Sequence, residues 1–254
     1  MDRPVPPPFR YPDPLNLAFE GFGEAAFAAL DDLRQHPTVE HLRTIKPAVE
    51  RHVFEPFKRY RDDLAVNWVL PNGLPFETEK RVFSRLQKND FGKGGAHHHL
   101  WLAFYRPPRK RLTDLQLSHS LYPDRFAVGL YGGEYAKGLF KPARARMLAR
   151  PDEALALLNG LLDRGYTFSY ARGVTKRDAP DLSGPLAAFP EDFAKAKGIW
   201  IRKAFPQADV LAWGPQLVAH ALREMEALWP LYRFWLGASD EELAAAAPPV
   251  GPPG

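Results

Sequence analysis

The chain is predicted to fold as an α+β domain: a central, mostly antiparallel sheet with helices from both ends of the sequence packed on it. Three observations predict this. Apolar residues recur at helical spacing near both ends, alternating segments cluster in the middle, and the strands do not take turns with helices as a parallel βαβ array requires.

Taken in order, residues 1 to 14 carry six prolines and predict an extended, solvated arm. Phe22, Ala26, Leu30 and Leu33 then form one helical stripe, with Asp31 and Asp32 turned away from it. Ile45, Val49, Val53, Phe57, Tyr60 and Leu64 form a second, with Thr44 as N-cap, Pro47 in the first turn and Pro56 as a kink. Residues 64 to 70 and 81 to 86 read as two weak strands. Residues 97 to 105 alternate more cleanly: His98, Leu100, Leu102 and Phe104 fall on one face, His97, His99, Trp101 and Tyr105 on the other. Residues 125 to 131 and 166 to 171 alternate in the same way. Helices are expected at 139 to 149, from Asp152 through Leu155, Leu158 and Leu162, and from Pro215 to Leu236. The last has the stripe Leu217, Ala221, Met225, Leu228, Tyr232 and Trp235, a kink at Pro230 and a stop at Gly237. Ser239 and Glu242 fit a capping box for a short final helix before an Ala/Pro/Gly tail. No internal linker divides residues 15 to 238, so one domain is expected there.

Bulk composition narrows the function classes. A chain of 254 residues with 45% hydrophobic and 25% charged residues has the make-up of a globular protein. It has no cysteine, which excludes disulfides, thiolate metal sites and cysteine nucleophiles. The first residues lack the apolar stretch of a secretory signal and no run suits a membrane span, so the expected compartment is the cytoplasm.

The net charge is +4, yet residues 80 to 111 alone hold nine Lys or Arg against Asp90, a local +8 that leaves the remainder at −4. Within that segment, Gly92, Lys93, Gly94 and Gly95 make a glycine-rich turn. Backbone amides of such a turn can approach an oxyanion while cations attract it. The turn lacks the Gly-Lys-Ser/Thr ending of a nucleotide-hydrolase loop and does not match a dinucleotide fingerprint. The other reading is a solvated hairpin whose charges keep the protein in solution.

His97 and His99 are two residues apart, so on a strand they share a side and could hold zinc or iron with a third ligand, His119 or Glu134 being available in sequence. They could instead hydrogen-bond an anion, or stack on a base beside Trp101 and Tyr105, or simply sit partly buried in the sheet. Trp101, Tyr105, Tyr131, Tyr166, Phe168 and Tyr170 offer either a stacking platform or helix-packing core. A second basic group, Lys137, Lys141, Arg144, Arg146 and Arg150, lies on the predicted helix after Gly138; an anion site at its start competes with a purely structural role near its end. No Gly-x-Ser-x-Gly elbow, paired acid-base carboxylates or known nucleic-acid motif stands out.

FEGFGEAAFAALDDL, the helix from Lys46 through Val53 to Pro56, RVFSRLQKNDF, FPEDFAKAKGIWIRKAF and LWPLYRFW together resemble a bacterial family labelled domain of unknown function 2461, over most of residues 19 to 236. The family's central Arg-Phe-Ser-Lys-Asp-Lys and Pro-Tyr-Lys are replaced here by Lys88, Asn89, Asp90 and the glycines. The resemblance implies an α+β fold and no settled activity.

The residues thus favour binding of an anionic partner, a nucleic acid or a nucleotide-like phosphate. Arg81, Arg85, Lys88 and Lys93 would supply charge, and His97, His99 and Trp101 hydrogen bonds and stacking. The rivals are a metal-dependent hydrolase with His97 and His99 as ligands to a divalent ion, and a module whose basic segment meets an acidic protein surface. No cofactor is required by the sequence and no membrane contact is expected.

Overall fold

The computed structural model describes residues 9–172 and 181–237; the expected capping box at Ser239 and Glu242, the tail, and the first eight residues lie outside them. The α+β architecture is as expected. Five strands form one antiparallel sheet in the order β1-β2-β3-β5-β4: β1 Leu100–Phe104, β2 Gln116–Leu121, β3 Arg125–Gly133, β4 Thr167–Ala171 and β5 Gly198–Pro206. Helices from the N-terminal part and the long C-terminal helix pack against it.

The first helix, α1 (Glu24–Gln35), buries Ala26, Phe27, Leu30 and Leu33, the predicted stripe with Phe27 added. A short α2 (Val39–Thr44) follows, absent from the periodicity because it has barely a turn and a half. Its N-cap is Thr38, whose Oγ1 accepts from His41 N at 3.1 Å. Thr44 is therefore not the cap of the next helix; its hydroxyl donates back to the Glu40 carbonyl at 3.3 Å. α3 (Lys46–Val49) and α4 (Glu55–Leu64) are joined by a π turn over Glu50–Phe54, closed by Glu55 N to Glu50 O. That wider turn is the answer to Pro56, which has no amide to donate and would clash with a carbonyl of a regular α turn. Residues 64 to 70, expected as a strand, continue this helix through a second π turn, Ala65–Val69. Leu64 and Trp68, one turn apart, are both buried, so helical spacing overrides the β-branched Val66 and Val69.

The expected solvated arm is docked where it is described. Phe9 meets Trp68 and Trp229 edge-on at 5.8 and 5.1 Å between centroids, and Arg10 N donates to Asn72 Oδ1 at 2.6 Å. Further on, buried Asp63 accepts from Ala18 N and Phe19 N, both at 2.9 Å, and fixes this strap to α4.

After β3, α5 (Lys137–Ala149) and α6 (Pro151–Leu162) bury Phe140, Met147, Leu158 and Leu161 against the C-terminal helix. α7 (Gln207–Trp213) is a short turn after β5, and α8 (Leu217–Leu236) runs unbroken through Pro230. Gly237 ends α8 at φ 68°, the left-handed conformation that glycine adopts without penalty. Arg146 covers the freed carbonyls, donating to Phe234 O at 3.0 Å and Trp235 O at 2.7 Å. Arg144 likewise donates to Ala196 O, Lys137 pairs with Glu134 and Arg150 with Glu153. Among the described residues these members of the second basic group thus serve the fold.

The register sorts the two sheet faces. Leu102, His119, Val128 and Lys203 are successive partners across the strands, and Trp101, Ser120, Ala127 and Ala204 form the neighbouring row. The first parity, with Leu100, Phe104, Leu117, Leu121, Phe126, Leu130, Ile201 and Phe168, is buried under the helices. Tyr166, Phe168 and Tyr170 belong to that covered side, so the expected aromatic face is divided: Trp101, Tyr105 and Tyr131 have the other parity. On the covered side His119 sits deep in the core, sharing a 2.8 Å hydrogen bond with Tyr60. Burial pushes its pKa down to about 3.

A base held neutral by burial stabilises the fold above its unfolded pKa, near 6.5, and loses that contribution as the pH falls towards the folded value. Thermal unfolding should therefore show a midpoint falling between pH 6.5 and 3, with a smaller fall in His119→Gln. An identical pH dependence in the two proteins would remove His119 as a source of acid lability.

Residues 81 to 86 do not form a regular strand. They run antiparallel beside β1 through isolated bridges, with Ser84 N bonded to Trp101 O at 2.7 Å and Ala103 N to Val82 O at 3.1 Å. Arg81 has φ 57°, which interrupts the extended run. On the opposite rim Phe168 and Leu182 exchange two 2.8 Å hydrogen bonds. The connection from β1 to β2 is pinned by Asp114, whose fully buried carboxylate accepts from Arg106 N, Arg106 Nε and Leu115 N at 2.7, 3.0 and 2.9 Å and also pairs with Arg106 Nη2.

Candidate functional site

The sheet face away from the helices is built from small and polar positions. Ser118, Ser120, Ala127 and Gly129 form a low floor, and larger side chains rise around it. A Cβ on Gly129 would stand 2.4 Å from Ile201 O and 2.9 Å from Arg202 Cβ, so the floor is as low there as the backbone allows. Trp101, His99 and Tyr122 wall one side; Tyr131 and Trp200, cross-strand partners with centroids 4.9 Å apart, wall the other. The hollow encloses about 300 Å³.

A second, basic hollow of about 640 Å³ adjoins it. Arg81, Arg85, Lys110 and Arg111 line it with Phe83, Tyr105, Leu112, Thr113 and Tyr135, and among the described residues no carboxylate does. Leu112 and Tyr135 line both hollows, and the Arg111 guanidinium lies over the Trp101 ring at 4.3 Å, so the aromatic floor and the basic groove meet along one seam. Arg111 is the tightest-held cation: Nη1 donates to Val82 O at 2.9 Å, while Nε is buried without a partner. Burial pushes its pKa down to about 10. A guanidinium kept from water without a carboxylate partner among these contacts would be stabilised by an incoming anion.

The predicted site residues are divided by this geometry. Arg81 and Arg85 enter the basic groove, and His99 and Trp101 the aromatic hollow. Lys88, Lys93 and His97 line neither. In the glycine-rich turn two amides are already engaged, Gly95 N donating to Asp90 Oδ2 at 2.7 Å and Lys93 N to Asp90 O at 3.4 Å, while Gly94 O and Gly95 O accept from Val39 N and Lys88 N. It is a hairpin closed on its own acid and docked on the start of α2. Lys110, Arg111, Leu112 and Tyr135 were not singled out as site residues by sequence reasoning. The first three sit on the Asp114-pinned loop, and the signal was the return of charge in PRKR directly after an aromatic strand.

The histidines precede β1 instead of belonging to it. His97 N donates to Leu86 O at 2.6 Å, and the strand begins at Leu100. His99 stacks on Tyr122 at 5.0 Å and 18°, with Nδ1 buried and unpartnered. Burial lowers the pKa of all three, that of His99 to about 4, with neighbouring positive charge adding to the effect. They are neutral near pH 7 and can donate or accept one hydrogen bond per nitrogen. No carboxylate joins His97 and His99 in metal-ligating geometry among the described residues; His119 is in the core and Glu134 is paired with Lys137. The described group that does have such geometry is Asp32, His36 and His41, on the other side of the glycine-rich turn's docking point. Its spacing, D-x3-H-x4-H, was readable in DLRQHPTVEH.

No protein-family model matches this chain, and no curated protein matches it in sequence. No described helix is long and apolar enough to cross a membrane.

Proposed function

We propose that the protein binds a phosphate-bearing aromatic ligand, a nucleotide or a short single-stranded nucleic acid, with its ring over the open sheet face and its phosphate in the adjoining basic groove. The observation that carries this is the seam at Arg111 and Trp101, where an aromatic-walled floor passes directly into a groove lined, among the described residues, by four cations and no acid. Stacking on Trp101, or against the outer face of the Tyr131–Trp200 pair, is tolerant of base identity, whereas the groove selects for negative charge. His99, held neutral by burial, lines the far end of the floor. Membership of residues 19 to 236 in the domain-of-unknown-function family belongs to the same proposal and rests on the motifs quoted above.

Fluorescence anisotropy with labelled oligonucleotides, single- and double-stranded, at low and moderate salt tests the reading. Single strands should bind more tightly than duplex, since a paired base cannot lie on a sheet, and mononucleotides should compete. Affinity should fall steeply with salt, and Trp101 should be quenched by a stacked base. Absence of binding at low salt would defeat it.

A further inference from the structure

A separate group on the surface has the chemistry of a metal centre. Asp32 lies in the last turns of α1 and His36 follows one turn later, on the same side of the chain. Pro37 then turns the backbone, and the Thr38 cap fixes the first turn of α2 so that His41 faces back toward Asp32. Asp32 Oδ1 stands 3.0 Å from His36 Nδ1, and Asp32 Oδ2 stands 2.9 Å from His41 Nε2. The two imidazole centroids are 4.8 Å apart, and one ligand atom from each of the three side chains falls within 4.8 Å of the other two.

Two features separate this from an ordinary surface ion pair. His41 Nε2 is buried from water and stands 2.9 Å from Asp32 Oδ2. The spacing is also near that of an ion's ligands. Two ligand atoms about 2.1 Å from a tetrahedral metal stand roughly 3.4 Å apart, so separations of 3.0 and 2.9 Å need only a few tenths of an ångström of opening to admit one. The outer side is open, since His36 and Asp32 keep 60% and 40% of their side-chain surface exposed. The adjacent cation Arg34 is paired with Asp31, so it adds no unbalanced positive charge.

We propose that Asp32, His36 and His41 bind one divalent transition-metal ion of the zinc class, two imidazoles and a carboxylate on one side of the ion and water on the other. Imidazole with carboxylate suits zinc, cobalt, nickel or iron and suits magnesium or calcium poorly. The ion would staple the end of α1 to α2. Through Thr38 and Val39, bridged and bonded to Gly95 and Gly94, it would also steady the glycine-rich turn. The site is independent of the anion-binding reading and survives its failure.

The test uses the full chain without an affinity tag that binds metal. Zinc is titrated by calorimetry and cobalt by visible absorption, each before and after chelator treatment. One ion per chain, with ligand-field bands from cobalt and a rise in unfolding temperature with zinc, is expected. His36→Gln and His41→Gln should each weaken binding by roughly tenfold or more, and His97→Gln/His99→Gln should leave it unchanged. His41→Glu, which keeps a ligand atom at the reach of Nε2, should retain cobalt with an altered spectrum and guards against loss through misfolding. No saturable uptake by the unaltered protein, uptake that persists in Asp32→Asn/His41→Gln, or loss in the His97/His99 variant instead, each overturns the proposal.

Discussion

Asp114→Ala is expected to remove roughly 3–5 kcal/mol of stability, because it strands a buried guanidinium. The Arg106 side chain is 12% exposed and that of Asp114 not at all. The carboxylate also satisfies the backbone amides of Arg106 and Leu115, so alanine leaves two further donors without their acceptor. At about 2–4 °C per kcal/mol for a chain of this size, the unfolding midpoint should drop by about 6–20 °C. Asp114→Asn, which keeps an acceptor oxygen and the shape, should lose less. Urea unfolding monitored by tryptophan fluorescence decides between them. A loss under about 1 kcal/mol, the scale of an exposed pair, would contradict the buried network. The same substitution releases the loop that carries Lys110, Arg111 and Leu112, so oligonucleotide affinity should fall with stability.

Arg81→Glu/Arg85→Glu should be the most damaging change to ligand binding. Both side chains are exposed in the basic groove, so the fold should be untouched. Setting two acids against a phosphate costs several kcal/mol, on the order of a hundredfold in affinity. The double alanine variant isolates the attraction from the repulsion. For a single strand it should flatten the dependence of log affinity on log salt by about 1.4, near 0.7 for each phosphate no longer neutralised. Unchanged affinity and salt dependence in both variants would place the ligand elsewhere, with Lys88→Glu/Lys93→Glu at the glycine-rich turn as the direct comparison.

The long helices at the two ends of the fold were legible because their apolar stripes are long, while the short α2 and α7 and the helical turn at Ala65–Val69 were not. Phe22 to Leu33 and Leu217 to Trp235 lie on covered faces as their spacing implies. Two strands were not. In β2 the covered position between Leu117 and Leu121 is His119, and the open face carries Gln116, Ser118 and Ser120, so no apolar alternation survives. In β5 the covered row runs Ile199, Ile201, Lys203, Phe205, and the lysine is tolerated because its amine meets Glu224 Oε1 at 2.9 Å, a partner on α8. Tertiary pairing of that kind leaves no local trace. The site was legible by halves for the same reason. Trp101, His99, Arg81 and Arg85 lie on or beside one recognisable strand. Their neighbours Tyr131, Trp200 and Arg111 arrive from three distant segments, and only strand order and the buried Asp114 bring them together.

The coverings on the two rims of the sheet bear on how the protein behaves when crowded. A bare rim displays a row of unpaired amides and carbonyls that another chain can extend. Here the segment from Glu77 through Phe83 runs in that row beside β1, and Leu182 pairs with Phe168 near the start of β4. The fold is thereby guarded against strand-by-strand polymerisation, and its concentrated solutions should stay free of cross-β aggregates for as long as those two flanking segments hold their places.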